Sequence, residues 1–239
     1  MADISQSRLA GEIILLAVRW YCKYSIRYRQ LQEILEERGI PVSYTTIYRW
    51  VQQYAPEIER RLRRYWQKSA NRWHIDETYI KVRNRWGYLY RAVTPDGKTI
   101  DFYLSRTSSC TRNAKAAELF LAKAMRRFKD YERPAVLNTD KAACYVTATR
   151  KLRKNGLCSP NTQHHQIKYR NNIIESDHGK IKRIIKTMAG FKTFKSAYST
   201  IRGIEVMRAL KKGQAKLHQI QPGIIGEVRL VERAFGLGP

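Results

Sequence analysis

The chain has 239 residues, with 46 Lys and Arg against 20 Asp and Glu, a formal net charge of +26. Self-repulsion of that size calls for a polyanionic partner, since a solubilising surface needs a net charge of only about 2 to 8, and nucleic acid comes first. An apolar content of 43% can build a core, but no run of about 18 apolar residues appears, and Glu12 and Arg19 interrupt the N-terminal stretch, so neither a membrane span nor a signal peptide is expected.

In chain order, "IILLAVRWY" at 13–21 and "YRQLQEILEERG" at 28–39 predict two short helices, the second stopping at Gly39. After "GIPV", Ser43 is placed to cap "YTTIYRWVQQY", whose Ile47 and Val51 would face the first two helices. Tyr44, Thr45, Tyr48 and Arg49 are then left on the outer face. This is the pattern of a helix-turn-helix with its recognition helix third, and those four residues suit a DNA groove, because arginine reads guanine edges or phosphate and hydroxyls reach phosphate oxygens. Small three-helix modules that do not touch DNA share the pattern. The strongly basic stretch 55–72 is expected to form a linker helix closing the first domain.

From His74 the period becomes strand-like in "HIDETYIKV", "GYLYRAVT" and "TIDFYLSR", a three-stranded antiparallel meander turned by "PDG" at 95–97. A helix in 113–128, a strand at "AVLNTD" (135–140), a helix in 142–156, a strand in "HHQIKYR" (164–170) and a helix from Ile173 follow. The order β-β-β-α-β-α-β-α predicts an α/β fold: a ribonuclease H-like mixed five-stranded sheet flanked by helices, preceded by an all-α helix-turn-helix domain. The expected domains are 1–55 (helix-turn-helix), 56–71 (basic linker helix), 72–195 (ribonuclease H-like) and 196–239 (C-terminal helical region and tail). The helix in 197–213 would pack on the ribonuclease H-like domain or form an interface between copies. Cys22, Cys110, Cys144 and Cys158 form no CxxC pair and complete no zinc pattern with the histidines, so reduced, structurally ordinary thiols are expected.

Three acids stand at informative places: Asp76 in the first strand, Asp140 ending the fourth, and Glu175 opening the basic helix "NNIIESDHGKIKRIIK". With the first and fourth strands adjacent and the helix crossing them, the carboxylates can converge. Clustered carboxylates repel unless they hold cations, and Mg2+ suits hard oxygen ligands around a phosphate. Two such ions, with Mn2+ able to substitute, can activate the attacking oxygen and stabilise the leaving oxygen of a phosphodiester displacement. Lys182 lies seven residues beyond Glu175, within roughly 20° of the same helical face, where it can grip a phosphate. Glu77 alternates to the opposite face, Asp177 points away from Glu175, and His74 and His178 are expected as supporting rather than ligating groups, since Mg2+ does not favour imidazole. Each acid also has a plainer role open to it: helix cap for Asp140, favourable charge at a helix N-terminus for Glu175, polar strand position for Asp76.

The segments "TTIYRWVQQYAPE" (45–57), "WHIDETYIKV" (73–82), "RWGYLYRAVTPDGKTIDFYLS" (85–105), "NTDKA" (138–142) and "HHQIKYRNNIIESDHGKIKRII" (164–185) together resemble the DDE transposases of bacterial insertion sequences, most closely insertion sequence family 6. The resemblance implies that Asp76, Asp140 and Glu175 are the catalytic, metal-holding triad, with 34 residues between the last two, and that Lys182, with Arg183 beside it, is the basic position of the helix. It implies binding of the element's terminal inverted repeats, nicking to expose 3′-hydroxyls, and strand transfer into target DNA with cointegrate formation. DNA ends and target DNA would be the partners, in a homodimer or larger assembly at the bacterial nucleoid in the cytoplasm, with no membrane. A DNA-binding regulator built on an inactive scaffold and a structure-specific nuclease are the competing readings.

Overall fold

The computed structural model describes residues 8–66, 71–106, 110–167, 171–188 and 190–238. The expected strand tail at 168–170 and most of the linker's end at 67–70 lie outside the described residues. The chain forms two compact units, residues 68–182 and, together, residues 1–67 and 183–239.

Three helices open the chain: α1 (Arg8–Lys23), α2 (Tyr28–Glu36) and α3 (Tyr44–Leu62). Gly39, with φ 72°, supplies the left-handed residue that ends α2, and the Ser43 hydroxyl accepts from Thr46 N at 3.3 Å to cap α3. Ile47 and Val51 are fully buried, while Tyr44, Thr45, Tyr48 and Arg49 are exposed. The expected boundary after residue 55 falls inside α3. Pro56 removes one backbone donor, but Tyr54, Ala55, Ile58 and Leu62 are all buried around it, so packing carries the helix through and the basic stretch continues it.

The sheet is built from β1 (Arg72–Val82), β2 (Arg85–Val93), β3 (Thr99–Ser105), β4 (Val136–Thr139) and β5 (Gln163–Gln166), in the order β3-β2-β1-β4-β5. The first three are antiparallel; β4 and β5 run parallel to β1, with His74 opposite Asn138. Parallel neighbours need crossovers, and α4 (Cys110–Met125) and α5 (Ala143–Lys154) supply them. One sheet face packs Trp73, Ile75, Tyr90, Ala92 and Leu137 against Phe120, Leu121, Tyr145 and Leu152 of these helices. This is the ribonuclease H-like mixed sheet that the element order predicts.

After the sheet come α6 (Asn172–Thr187), α7 (Phe194–Lys211) and α8 (Gly223–Ala234). α7 packs on α1 and α3, and its apolar residues are buried there. Gln52 Nε2 donates to Thr200 Oγ1 at 3.1 Å, and Arg202 donates through Nε and Nη2 to Glu59 Oε2 at 3.0 and 2.7 Å. The approach is close because Gly203 has no side chain: a Cβ there would lie 2.7 Å from Ala55 Cβ and closer still to Cys22 Sγ. Cys22, Cys144 and Cys158 are free. Among the described residues no helix is long and apolar enough to cross a membrane.

Candidate active site

β1 presents its residues alternately to the two faces of the sheet. Trp73, Ile75 and Glu77 turn toward α4 and α5, where Glu77 Oε2 accepts from the Tyr145 hydroxyl at 2.5 Å. Asp76 turns the other way, toward α6, with Arg91 directly opposite it on β2. The expected separation of Asp76 from Glu77 is the arrangement found.

Three contacts fasten the start of α6 to this face. Asn171 Nδ2 donates to Ile75 O at 3.2 Å, Arg91 Nη2 donates to Asp177 Oδ2 at 2.5 Å, and His178 Nδ1 lies 3.5 Å from Asp76 Oδ2. Ile174, Ile181 and Ile185 form the buried stripe of the helix, and Met188, just past its end, is buried as well. Glu175 stays exposed in its first turn, and Lys182 and Arg183 are exposed further along.

Asp140 follows β4 directly, so the register that pairs His74 with Asn138 carries Asp140 to the level of Asp76. Its Oδ1 accepts from Ala142 N at 3.0 Å. The Thr139 hydroxyl donates to Asp140 O at 2.8 Å and stands 2.8 Å from His164 Nε2 on β5. A hydroxyl has one proton to give, so His164 donates to Thr139. Burial, then Arg153, lowers the His164 pKa, in keeping with a neutral ring protonated on Nε2.

The carboxylates share one field. Burial first, then Glu77, pushes Asp76 up to about 7, with Asp140 and Glu175 adding to the rise and a backbone hydrogen bond opposing it. Burial also raises Glu77, with the Asp140 charge adding and the Tyr145 hydroxyl opposing. The donors are hard oxygens that resist carrying charge together, which is the chemistry a divalent cation relieves. Among the described residues no group of three or more His, Cys, Asp or Glu side chains is placed so as to hold a metal ion. The set therefore fits such an ion in donor type and charge, without standing in coordination geometry.

In the helical unit, the Tyr44 ring carries the Arg29 guanidinium at 5.6 Å, its backbone N donates to Gln32 Oε1 at 2.9 Å, and Tyr48 meets Tyr28 edge-on at 5.7 Å. Thr45 shares a 2.9 Å hydroxyl contact with Ser43.

A family model described as a DDE domain matches residues 70–214, a span that includes all three acids. Two relatives from Staphylococcus aureus, the transposase for insertion sequence-like element IS431mec and that for insertion sequence element IS257 in transposon Tn4003, are each 37% identical over 209 residues, covering 87% of this chain and 88% of theirs. The chain belongs to the DDE transposases of insertion sequence family 6. A chain in the cryo-electron microscopy structure of the simian T-cell lymphotropic virus intasome with PP2A regulatory subunit B56 gamma is also similar, at a TM-score of 0.39 and 15% identity, over 56% of the transposase and 49% of that chain.

Sequence reasoning passed over Arg91 of the transposase, yet "GYLYRAVT" carried the signal. A guanidinium in a strand of buried character needs a buried acid within reach, and Asp177, set aside for pointing away from Glu175, is that acid.

Proposed function

We propose that this transposase binds the terminal inverted repeats of its element through the exposed face of α3, and cuts and joins DNA at Asp76, Asp140 and Glu175. The observation that carries the reading is geometric: the β1–β4 register sets Asp140 level with Asp76, and the Asp140 and Glu175 carboxylates both add to the rise at Asp76. Their opposition would be relieved by a pair of Mg2+ or Mn2+ ions held by the three acids. When bound, such ions supply Lewis-acid activation of the attacking oxygen and neutralise charge on the leaving oxygen.

The chain's own groups set the stage for that chemistry. Asp76 and Asp140 present oxygens from a rigid sheet, and Glu175 reaches them from a helix anchored through Asn171, Asp177 and His178. Lys182, two turns on, holds the neighbouring phosphate, with Arg183 beside it. Hydrolysis frees a 3′-hydroxyl at the element end. That oxygen then attacks a target phosphodiester in line, forming one P–O bond as another breaks and leaving a 3′-hydroxyl on the target strand. Transfer of one strand at each end without release of the flanks gives a branched intermediate, which replication from the freed target 3′-hydroxyls converts into a cointegrate. Joining two ends takes two sites, so the working form on the nucleoid DNA of the bacterial cytoplasm is at least a dimer, checked by the mass of the end complex.

The test incubates purified protein with a labelled terminal-repeat duplex and a target plasmid, with Mg2+ or chelator, beside Asp140→Asn and Glu175→Gln. Metal-dependent nicking and joining, lost in both variants while end binding persists, is the expected result. Joining by Glu175→Gln near the parent rate would overturn the assignment, and end-specific binding with no product in any metal would support a regulator instead.

A further inference from the structure

The β1–β2 hairpin runs on beyond the acids. β4 stops at Thr139, so among the described residues no strand pairs with β1 on that edge from about the level of Asp76 to the tip at Val82. Six further residues at about 3.3 Å each carry the hairpin roughly 20 Å past Asp76. The face that α4 and α5 cover at Trp73 and Ile75 continues outward as Tyr79 and Lys81 on β1, paired with Tyr88 and Trp86 on β2.

That outer stretch is neither apolar core nor plain charged surface. Tyr79 is 50% and Trp86 58% exposed. The Tyr79 ring meets Trp86 at 6.5 Å and Tyr88 at 4.9 Å, with interplanar angles of 79° and 68°. Rings set at right angles make a corner, where a flat heterocycle can stack on one wall and touch the other edge-on. Lys81 shares this face and Arg83 stands at the turn, both exposed. Arg83, at φ 54°, is the one non-glycine among the described residues in the left-handed region. A two-residue hairpin turn of this kind favours glycine at its first position, so a cation is held at the tip at a backbone cost, which is usual where a site needs the side chain.

We propose that Tyr79, Trp86 and Tyr88, with Lys81 on the same face and Arg83 at the tip, form a stacking platform for an unpaired nucleobase of the DNA strand beside the cut. Aromatic faces with adjoining cations are the recurrent means of holding bases that have left the duplex, and stacking tolerates any base because each has a π-face. Tyr79 stands three residues, about 10 Å along the strand, from Asp76. Its hydroxyl pKa is raised by burial and Tyr88, and also by Glu77, Asp76 and Asp140, so the ring lies within the field of the acids. A strand leaving the carboxylates can cross the open β1 edge onto this face. The proposal rests on the reading that Asp76 marks the place of cutting. DNA fits better than a second copy of the chain, because the platform's cations would meet their like across a symmetric contact.

The test measures binding by the full chain, in chelator, to terminal-repeat duplexes carrying 2-aminopurine either paired or opposite an abasic site, stepped through the few nucleotides around the junction. At one position the unpaired probe binds about tenfold more tightly and is quenched. The double variant Tyr79→Ala/Trp86→Ala loses that preference while binding the paired duplex within twofold of the parent; Tyr79→Phe/Trp86→Phe keeps it. Exposed positions leave the fold intact, checked by the thermal melt. A preference absent from the parent, or kept by the alanine pair, would overturn the proposal. So would equal loss on both duplexes, or a lower sedimenting mass with the preference intact, which would mark a contact between copies. Because chelator suppresses turnover, the measurement reads stacking whether or not the three acids catalyse: a preference without metal-dependent cutting would sink the catalytic reading alone.

Discussion

Arg91 is wholly buried on β2, and its ion pair with Asp177 lies one residue from the His178 contact to Asp76. Removing one partner strands the other charge inside, which costs about 3 to 5 kcal/mol, whereas replacing both with apolar groups of similar shape costs far less. Arg91→Met and Asp177→Leu singly should each lower the melting temperature strongly, and the double variant should recover most of it. The recovered protein should still join DNA less well, because the Arg91–Asp177 pair is the directional, charged one of the three contacts that fasten the start of α6 beside Asp76. Melting curves and strand-transfer rates on the three variants check this, and full activity in the stable double variant would show that packing alone orients the helix. The placement of Asp76 within the first strand, Asp140 at the end of the fourth and Glu175 at the opening of a basic helix was legible in the sequence. The fastening of α6 by Arg91, Asn171 and His178 was not, because a partner 86 positions away along the chain leaves no local pattern.

At the scale of elements, periodicity reported helices and strands well, and alternation along β1 gave the right face to each of two adjacent acids. It said nothing of where α7 goes. A stripe of Ile201, Ile204, Met207 and Leu210 states that a helix is covered, without naming the cover. The informative residue was Gly203, a glycine inside a helix whose cost relative to alanine needs a packing reason. Gly203→Ala should therefore behave opposite to its helix propensity. The propensity gain of nearly 1 kcal/mol is outweighed by an overpacking cost of about 1 to 3 kcal/mol against Cys22 and Ala55. Lower protection of α1, α3 and α7 together in hydrogen exchange, with the β1–β4 amides unchanged, is the expected signature; equal or greater stability would mean that the helices part easily. Ser43→Ala should cost about 1 kcal/mol through loss of the α3 cap, seen as a lower melting temperature and weaker end binding.

For the whole molecule, the decisive quantity is the charge of +26, and it makes two kinds of DNA contact separable. Phosphate neutralisation releases counterions, so affinity falls linearly with salt on logarithmic axes, by about 0.9 of a slope unit for each contact. Lys182 sits on α6 two turns from Glu175 and Arg49 on the exposed face of α3; the proposed function gives the first a phosphate and the second a base edge. Lys182→Ala should weaken terminal-repeat and scrambled duplexes by the same factor and lower the salt slope by about one unit. Arg49→Ala should weaken the terminal repeat by roughly tenfold or more, with the scrambled duplex much less affected, since a good base contact discriminates by about 1 to 3 kcal/mol. Titrations of both duplexes between about 50 and 200 mM salt give both quantities. Equal loss on the two duplexes for Arg49→Ala would move that residue to the backbone and leave recognition of the element end to Tyr44, Thr45 and Tyr48.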